Sequence, residues 1–555
     1  MSSDNKSRNL KIAAPRFLPI VLLGAYLAQC AWFIGTQSFT YDEPHHIKAG
    51  LDAARDGNFD LTDGHPGLPR MYFTLPLLFQ NARVEQVDEN TATGFAPAAE
   101  SMAWQTRAMQ SLLGLALGVL LWRTARKMFS EGAANFALAL FAFSPALIAH
   151  FSLATTDAAG VLMIFIAATA VVRWRKKAAA ESKPLWPETL LLGVVLGVLL
   201  VSKYYTPPLF LLALVWMLTA PREGGEQFLI LNPLRWHWRS ALLVCVVAFL
   251  VVWGSFYFHL THITLRDFTV RLDVPGHAAP LVEDFPFNWN AQFSLPAVEY
   301  LAGLGAAAAH TARGHRSYFL GEVSARGGWR LYFPVVIVLK WPSVALLLLL
   351  AALVLLARKK IPLARDTLVL FSFPVLFFIP AVLSKINIGD RHILPAYPFV
   401  LLLLAGVWEA ARHAEKKKLW SVVLALSAVV MAADTLRYAP DYLSWFNIFV
   451  DKEESWRLLA DSSLDWGQGL LALRAWQQAH PDEQIYLAYY GNVAPEVYDI
   501  RYTPLKPGES VRGIVVVSAV HLAGRLLQDQ RGYRWLLEHR RVAVLNHTLH
   551  VFRIE

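Results

Sequence analysis

Cysteine is nearly absent. Only Cys30 and Cys245 occur among 555 residues, both inside apolar runs, which excludes a disulfide framework and a Cys-based metal site. Charge is also scarce: 17% of residues are Asp, Glu, Lys or Arg, where a soluble chain carries about 25%. With 55% hydrophobic residues and a mean hydropathy of +0.38, a soluble protein of this length is excluded. Neither an internal repeat nor a low-complexity tract is present. The net charge of +9 sits in short clusters between apolar blocks, so it points away from nucleic acid and toward a membrane.

Apolar blocks near or above ~18 residues, the length that spans a bilayer, make this a polytopic α-helical membrane protein. Hydropathy predicts eleven spans, at about 17–37, 106–126, 131–149, 157–173, 188–203, 206–220, 240–260, 333–357, 367–384, 392–411 and 419–436. The first block resembles a lipoprotein processing site at Leu27-Ala28-Gln29-Cys30. Gln29 is large where such sites need a small residue, and the apolar run continues, so the block reads as a retained helix. Pro145, Pro207, Pro208, Pro342 and Pro374 fall in or beside spans, where membrane helices tolerate them.

The basic clusters are Lys6/Arg8/Lys11/Arg16, Arg123/Arg126/Lys127, Arg173/Arg175/Lys176/Lys177, Arg235/Arg239, Arg358/Lys359/Lys360 and Arg412/Lys416/Lys417/Lys418. With eleven spans all of them fall on one side, which the positive-inside rule makes cytoplasmic. The opposite face collects loops 38–105 and 261–332, the turns at 149–156, 203–205 and 384–391, and everything after about Arg437. We therefore expect a membrane domain over 1–436 and an external α/β domain over 437–555. In the latter, IYLAYYG, GIVVVSAV and RVAVLNHTLHVFRI read as strands, and WGQGLLALRAWQQAH as a helix preceded by the capping types Asp461-Ser462-Ser463.

Polar residues in odd contexts gather on that outer face. In TYDEPHHIKAG, adjacent acids on a helix face different ways, and Asp42 is spaced to meet His45 and His46. Asp157 follows Thr155-Thr156 at the outer start of a span, a pattern that also suits a plain helix N-terminus. Lys203, Lys340, Arg391 and Arg70 are cations at or inside span ends, where snorkelling is the ordinary role. Carboxylates from two loops and cations from several others meeting one face also fit a site that accepts a proton and holds phosphate.

The chain resembles the lipid-carrier-dependent GT-C glycosyltransferases, the group of protein O-mannosyltransferases and the bacterial lipid A aminoarabinose transferase. The resemblance lies in Asp42-Glu43 after the first helix, Asp157 in the second outer turn and His65-Pro66 in the first loop. It extends to GWRLYFPVVIVLKWP, GDRHILPAYPF and DSSLDWGQGL, and so covers nearly the whole chain. The first loop reads HPGLPR where relatives often carry two prolines after the histidine, and the tail differs from the sugar-binding modules of protein mannosyltransferases.

The resemblance implies a cavity roofed by short helices of the first outer loop, a sugar donor on a polyprenyl phosphate, and one-step inversion. Asp42, Glu43 and Asp157 are then the catalytic candidates, with Asp42 as base. Arg391, Lys203, Lys340 and Arg70 would bind the carrier phosphate, and His46, His65 and His392 would support it. The partners are the donor, a lipid, glycan or protein acceptor, and membrane lipids; the location is a bacterial inner membrane with the N-terminus cytoplasmic. No cofactor is identified. His45, His46 and His65 could hold a divalent cation, but no HExxH spacing is present. A lipid-linked oligosaccharide ligase and a polytopic transporter are the rival readings; a transporter would show polar groups at the midplane, often in repeated halves.

Overall fold

The computed structural model describes residues 17–60, 64–87, 91–180, 185–221, 234–266, 269–273, 290–364 and 366–555. The basic cluster Lys6/Arg8/Lys11/Arg16 and parts of loops 38–105 and 261–332 lie outside them. All eleven apolar segments are helical, but the span count is corrected. Among the described residues, seven helices are long and apolar enough to cross a membrane: Leu18–Thr36, Ala99–Met128, Asp157–Ala180, His237–Gly254, Asp366–Leu383, Asp390–Arg412 and Lys417–Leu436. Tyr332–Lys340 and Ser343–Ala357 together would make an eighth, bent by 116°. Glu131–Ala142, Trp186–Leu200 and Pro207–Leu218 are shorter apolar helices.

Proline explains the shortfall. Pro342 has no N–H to donate and holds Trp341 in extended backbone (φ −96°, ψ 141°), which breaks the pair. The run predicted as one span over 131–149 divides at Phe143-Ser144 and restarts at Pro145 as the short helix Pro145–His150. Pro207 opens its helix, where a missing N–H costs nothing. Small residues set the packing of the short helices. A Cβ on Gly193 or Gly197 would come within 2.7 Å and 2.6 Å of Val247 and Val251, so these glycines let Trp186–Leu200 lie directly on Leu234–Gly254.

The polar ends of the helices are segregated. Asp157 begins its helix and Arg173, Arg175, Lys176 and Lys177 lie toward its other end. Likewise Arg107 lies near the start of Ala99–Met128, and Arg123, Arg126 and Lys127 near its finish. The first of two long inter-helix segments carries the helices Glu43–Asp56 and Gly67–Leu78 and an antiparallel hairpin of Arg83–Val87 with Ala92–Ala96. The second carries a three-stranded sheet, with Leu260–Arg266 between Thr269–Asp273 and Ala291–Pro296, followed by the helix Val298–Arg313.

The tail forms a five-stranded mixed sheet in the order Arg540–Leu545, Leu549–Ile554, Gly513–Ser518, Ile485–Ala488, Thr503–Pro504. The first three pair antiparallel and the last two join in parallel. The run RVAVLNHTLHVFRI is a hairpin, turned at Asn546 and His547 with φ of 52° and 56°, the left-handed pair that a tight hairpin turn demands. The helix Leu470–Ala479 is present, but Asp461-Ser462-Ser463 do not cap it; it opens at Gly469. Those three side chains bind elsewhere, as described below. The sheet domain also joins the first outer hairpin through an isolated bridge between Ala92 and Val493.

Candidate functional site

Asp42 directly precedes the helix Glu43–Asp56, whose first turn contains Pro44, and its carboxylate makes no cap bond to that helix. Nor does it pair with His45 or His46. It accepts from Arg391 Nη1 at 3.1 Å, while His45 pairs with Asp60 at 3.0 Å. Arg391 stands on the 3-10 turn Asp390–Ala396. Its guanidinium lies over the Trp466 ring, 4.2 Å from the centroid, and its Nε is buried without a hydrogen-bond partner among the described residues.

A second pair lies within electrostatic reach of Arg391. Lys203 Nζ meets Asp157 Oδ1 at 2.8 Å and donates to Thr156 Oγ1 at 2.6 Å. Its turn is pinned by Thr206 Oγ1, which donates to the Lys203 carbonyl at 2.7 Å. His65 Nδ1 lies 3.0 Å from Thr156 Oγ1 and 3.4 Å from Lys203 Nζ. His46 packs edge-on to His65 with centroids 4.8 Å apart, and accepts from Arg70 Nε at 3.2 Å. Thus the structure brings together Asp42, Arg391, Asp157, Lys203, His65, His46 and Arg70 from five separate segments. His392, half-buried on the Arg391 turn, lies within reach of Asp157 and Lys203.

Burial and neighbouring cations set the protonation of this cluster. Burial first, then Arg70, holds His46 well below its ordinary value; burial and Lys203 do the same to His65. Both imidazoles are neutral acceptors facing cations. Burial lowers Lys203, and the Asp157 carboxylate opposes that shift. Arg70 is brought down to about 10 by burial. Cations against both histidines oppose a bound metal ion, and among the described residues no group of three His, Cys, Asp or Glu is arranged to hold one.

Two expected site residues are placed differently. Glu43 is fully enclosed. Its oxygens accept from Arg107 at 2.8 Å and 2.7 Å, from Thr40 N at 2.7 Å and from Ala154 N at 2.7 Å, so it ties three segments together. Lys340 donates to the carbonyls of Leu443 at 3.0 Å and Ser463 at 2.5 Å. It lies beside His150 and Asp390, with its ammonium bonded to two chain segments. Arg107, Thr156 and Trp466 were not anticipated as site residues. Arg107 did carry a signal: it is a lone charge one residue inside a predicted span, where charge is costly without a partner. Trp466 carried none beyond its place in DSSLDWGQGL.

Fold and site together define a polytopic membrane protein with an acid–guanidinium pair beside a cation cluster. Residues 92–253 match the family model of dolichyl-phosphate-mannose-protein mannosyltransferase. That match bears out the resemblance to lipid-carrier-dependent membrane glycosyltransferases, over a segment holding Arg107, Asp157 and Lys203 and well under half of the chain. No curated protein matches the chain.

Among solved structures, the protein O-mannosyltransferase Pmt1–Pmt2 complex of S. cerevisiae, bound to the sugar donor, aligns over 77% of this chain and 90% of its own. The identity is 11% and the TM-score 0.49. ArnT from Cupriavidus metallidurans, bound to undecaprenyl phosphate, aligns over 96% of this chain and 97% of its own at 12% identity, TM-score 0.45. The oligosaccharyltransferase of Archaeoglobus fulgidus aligns over 76% of this chain and 55% of its own at 10% identity, TM-score 0.47.

Proposed function

We propose that the protein is a glycosyltransferase that moves a sugar from a polyprenyl-phosphate carrier to a hydroxyl acceptor, with inversion. The observation that carries this reading is the contact of Asp42 with Arg391 at 3.1 Å, next to the Lys203–Asp157 pair. One carboxylate stands where a proton can be taken, beside fixed cations that suit a phosphate. The match of residues 92–253 to the mannosyltransferase family supports the donor class.

In this mechanism the acceptor hydroxyl gives its proton to Asp42 as its oxygen forms the new bond to the anomeric carbon. The bond from that carbon to the carrier phosphate breaks, and the phosphate departs with the electron pair. Arg391 has an Nε without a hydrogen-bond partner among the described residues and a forked geometry that matches phosphate oxygens. Lys203 and Arg70 complete the positive field and stabilise charge developing on the leaving group. The site then lies on the outer face of a bacterial inner membrane, opposite the basic clusters, with the sheet domain outside.

Purified protein given candidate polyprenyl-phosphate sugars tests the reading. Wild type should release free carrier phosphate and yield a glycosylated acceptor. Asp42→Asn should lower turnover by about 10²–10⁴-fold, the usual contribution of a general base, with donor binding retained. Near-normal turnover in that variant would move the base role to Asp157. Transfer only from pyrophosphate-linked oligosaccharides would make the protein a ligase instead.

A further inference from the structure

The segment Asp461–Gln468 holds both halves of the Asp42–Arg391 pair. Toward Arg391, Ser462 Oγ donates to the Ile388 carbonyl, and Ser463 Oγ accepts from Asp390 N at 2.9 Å and donates to Asp390 Oδ1 at 3.1 Å. Toward Asp42, the Trp466 carbonyl accepts from Tyr41 N at 2.8 Å and the Gln468 carbonyl from Ser38 N at 3.1 Å. The segment is itself anchored in the sheet domain. Asp461 pairs with buried Arg525 at 2.9 Å, and Asp465 accepts from Gly467 N at 3.1 Å and Val520 N at 3.3 Å.

Between the two attachments stands the Trp466 ring, 2% exposed, under the Arg391 guanidinium. A guanidinium held on an aromatic face keeps its in-plane N–H groups free for carboxylate and phosphate. We propose that Trp466 is a positioning residue: its ring fixes the plane of Arg391 so that one edge meets Asp42 and the other is presented to the donor phosphate. This rests on the transferase reading and adds to it a role for the sheet domain, in which this segment is anchored.

The test is donor KM with fluorinated tryptophans placed at position 466 alone. Fluorine keeps the ring's shape and packing while withdrawing its π charge, so folding is preserved. KM should rise stepwise with fluorine number, to a total of roughly 2- to 30-fold for loss of one cation–π contact, with kcat changing less. In an Arg391→Ala background the series should be flat, because the partner is gone. An active wild type whose KM ignores fluorination, or a series that persists undiminished in Arg391→Ala, overturns the inference. A wild type inert toward every donor overturns the transferase reading instead.

Discussion

Arg391 and Asp42 are 349 positions apart in the chain yet share a hydrogen bond, and the character of that contact turns on the guanidinium. Lysine at 391 would keep a positive charge but lose the fork and the flat face that rests on Trp466. Arg391→Lys should therefore raise donor KM moderately, and Arg391→Ala should raise it further, with thermal unfolding of both close to wild type. Normal donor use by Arg391→Ala would reduce the residue to an anchor and shift the carrier phosphate toward Lys203 and Arg70. The presence of these cations was legible in the sequence; their partners were not. Local spacing placed His45 and His46 beside Asp42, whereas the carboxylate found a partner from a distant turn. Sequence spacing reports only neighbours on the same element, and a site assembled from five segments draws its contacts from the others.

Two elements invite predictions about stability. The turn after the first helix, the start of Ala99–Met128 and the turn before Asp157 are fastened by the enclosed Glu43–Arg107 pair, both side chains at 0% exposure. Removing one partner of such a pair strands the other charge, at a cost of about 3–5 kcal/mol. Arg107→Met should lower the unfolding temperature sharply, and Glu43→Leu in the same chain should recover part of the loss. A drop in kcat for Glu43→Gln at unchanged stability would return Glu43 to the chemistry.

The second element is the segment around Asp465, whose carboxyl burial pushes up to about 7. An acid raised in the folded state binds more protons there than in the unfolded chain. Its contribution is fully present below about pH 4, the unfolded value, and is lost as pH rises through about 7. Stability should thus fall across pH 4 to 7, and Asp465→Asn should flatten that slope when unfolding temperature is followed against pH. The same segment shows where pattern reading stopped. Asp461-Ser462-Ser463 has the composition of a helix cap, but its side chains bind Arg525, Ile388 and Asp390, because those tertiary partners outcompete a helix start several residues away.

For the molecule as a whole, the apolar blocks were legible because hydropathy in a bilayer is nearly a length criterion. Their division was less so: the prolines at 145, 207 and 342 cut some blocks into pieces too short to cross alone. Topology is open to direct measurement. We propose from the basic clusters that Lys177 is cytoplasmic and the sheet domain external, so reporters fused after Lys177 and after Glu555 should give opposite compartments. Matching signals would break the assignment and divide the proposed site between two faces.

The bonds that join Ser38 to Gly467 span 429 positions, and this distance bears on how the protein is made. Asp42 leaves the ribosome and reaches its side of the bilayer long before Trp466 is synthesised. Throughout insertion of the later helices, the acid stands without the cation and without the aromatic ring beneath it. On the proposed reading, the Asp42–Arg391 pair forms only once both of these distant segments are in place.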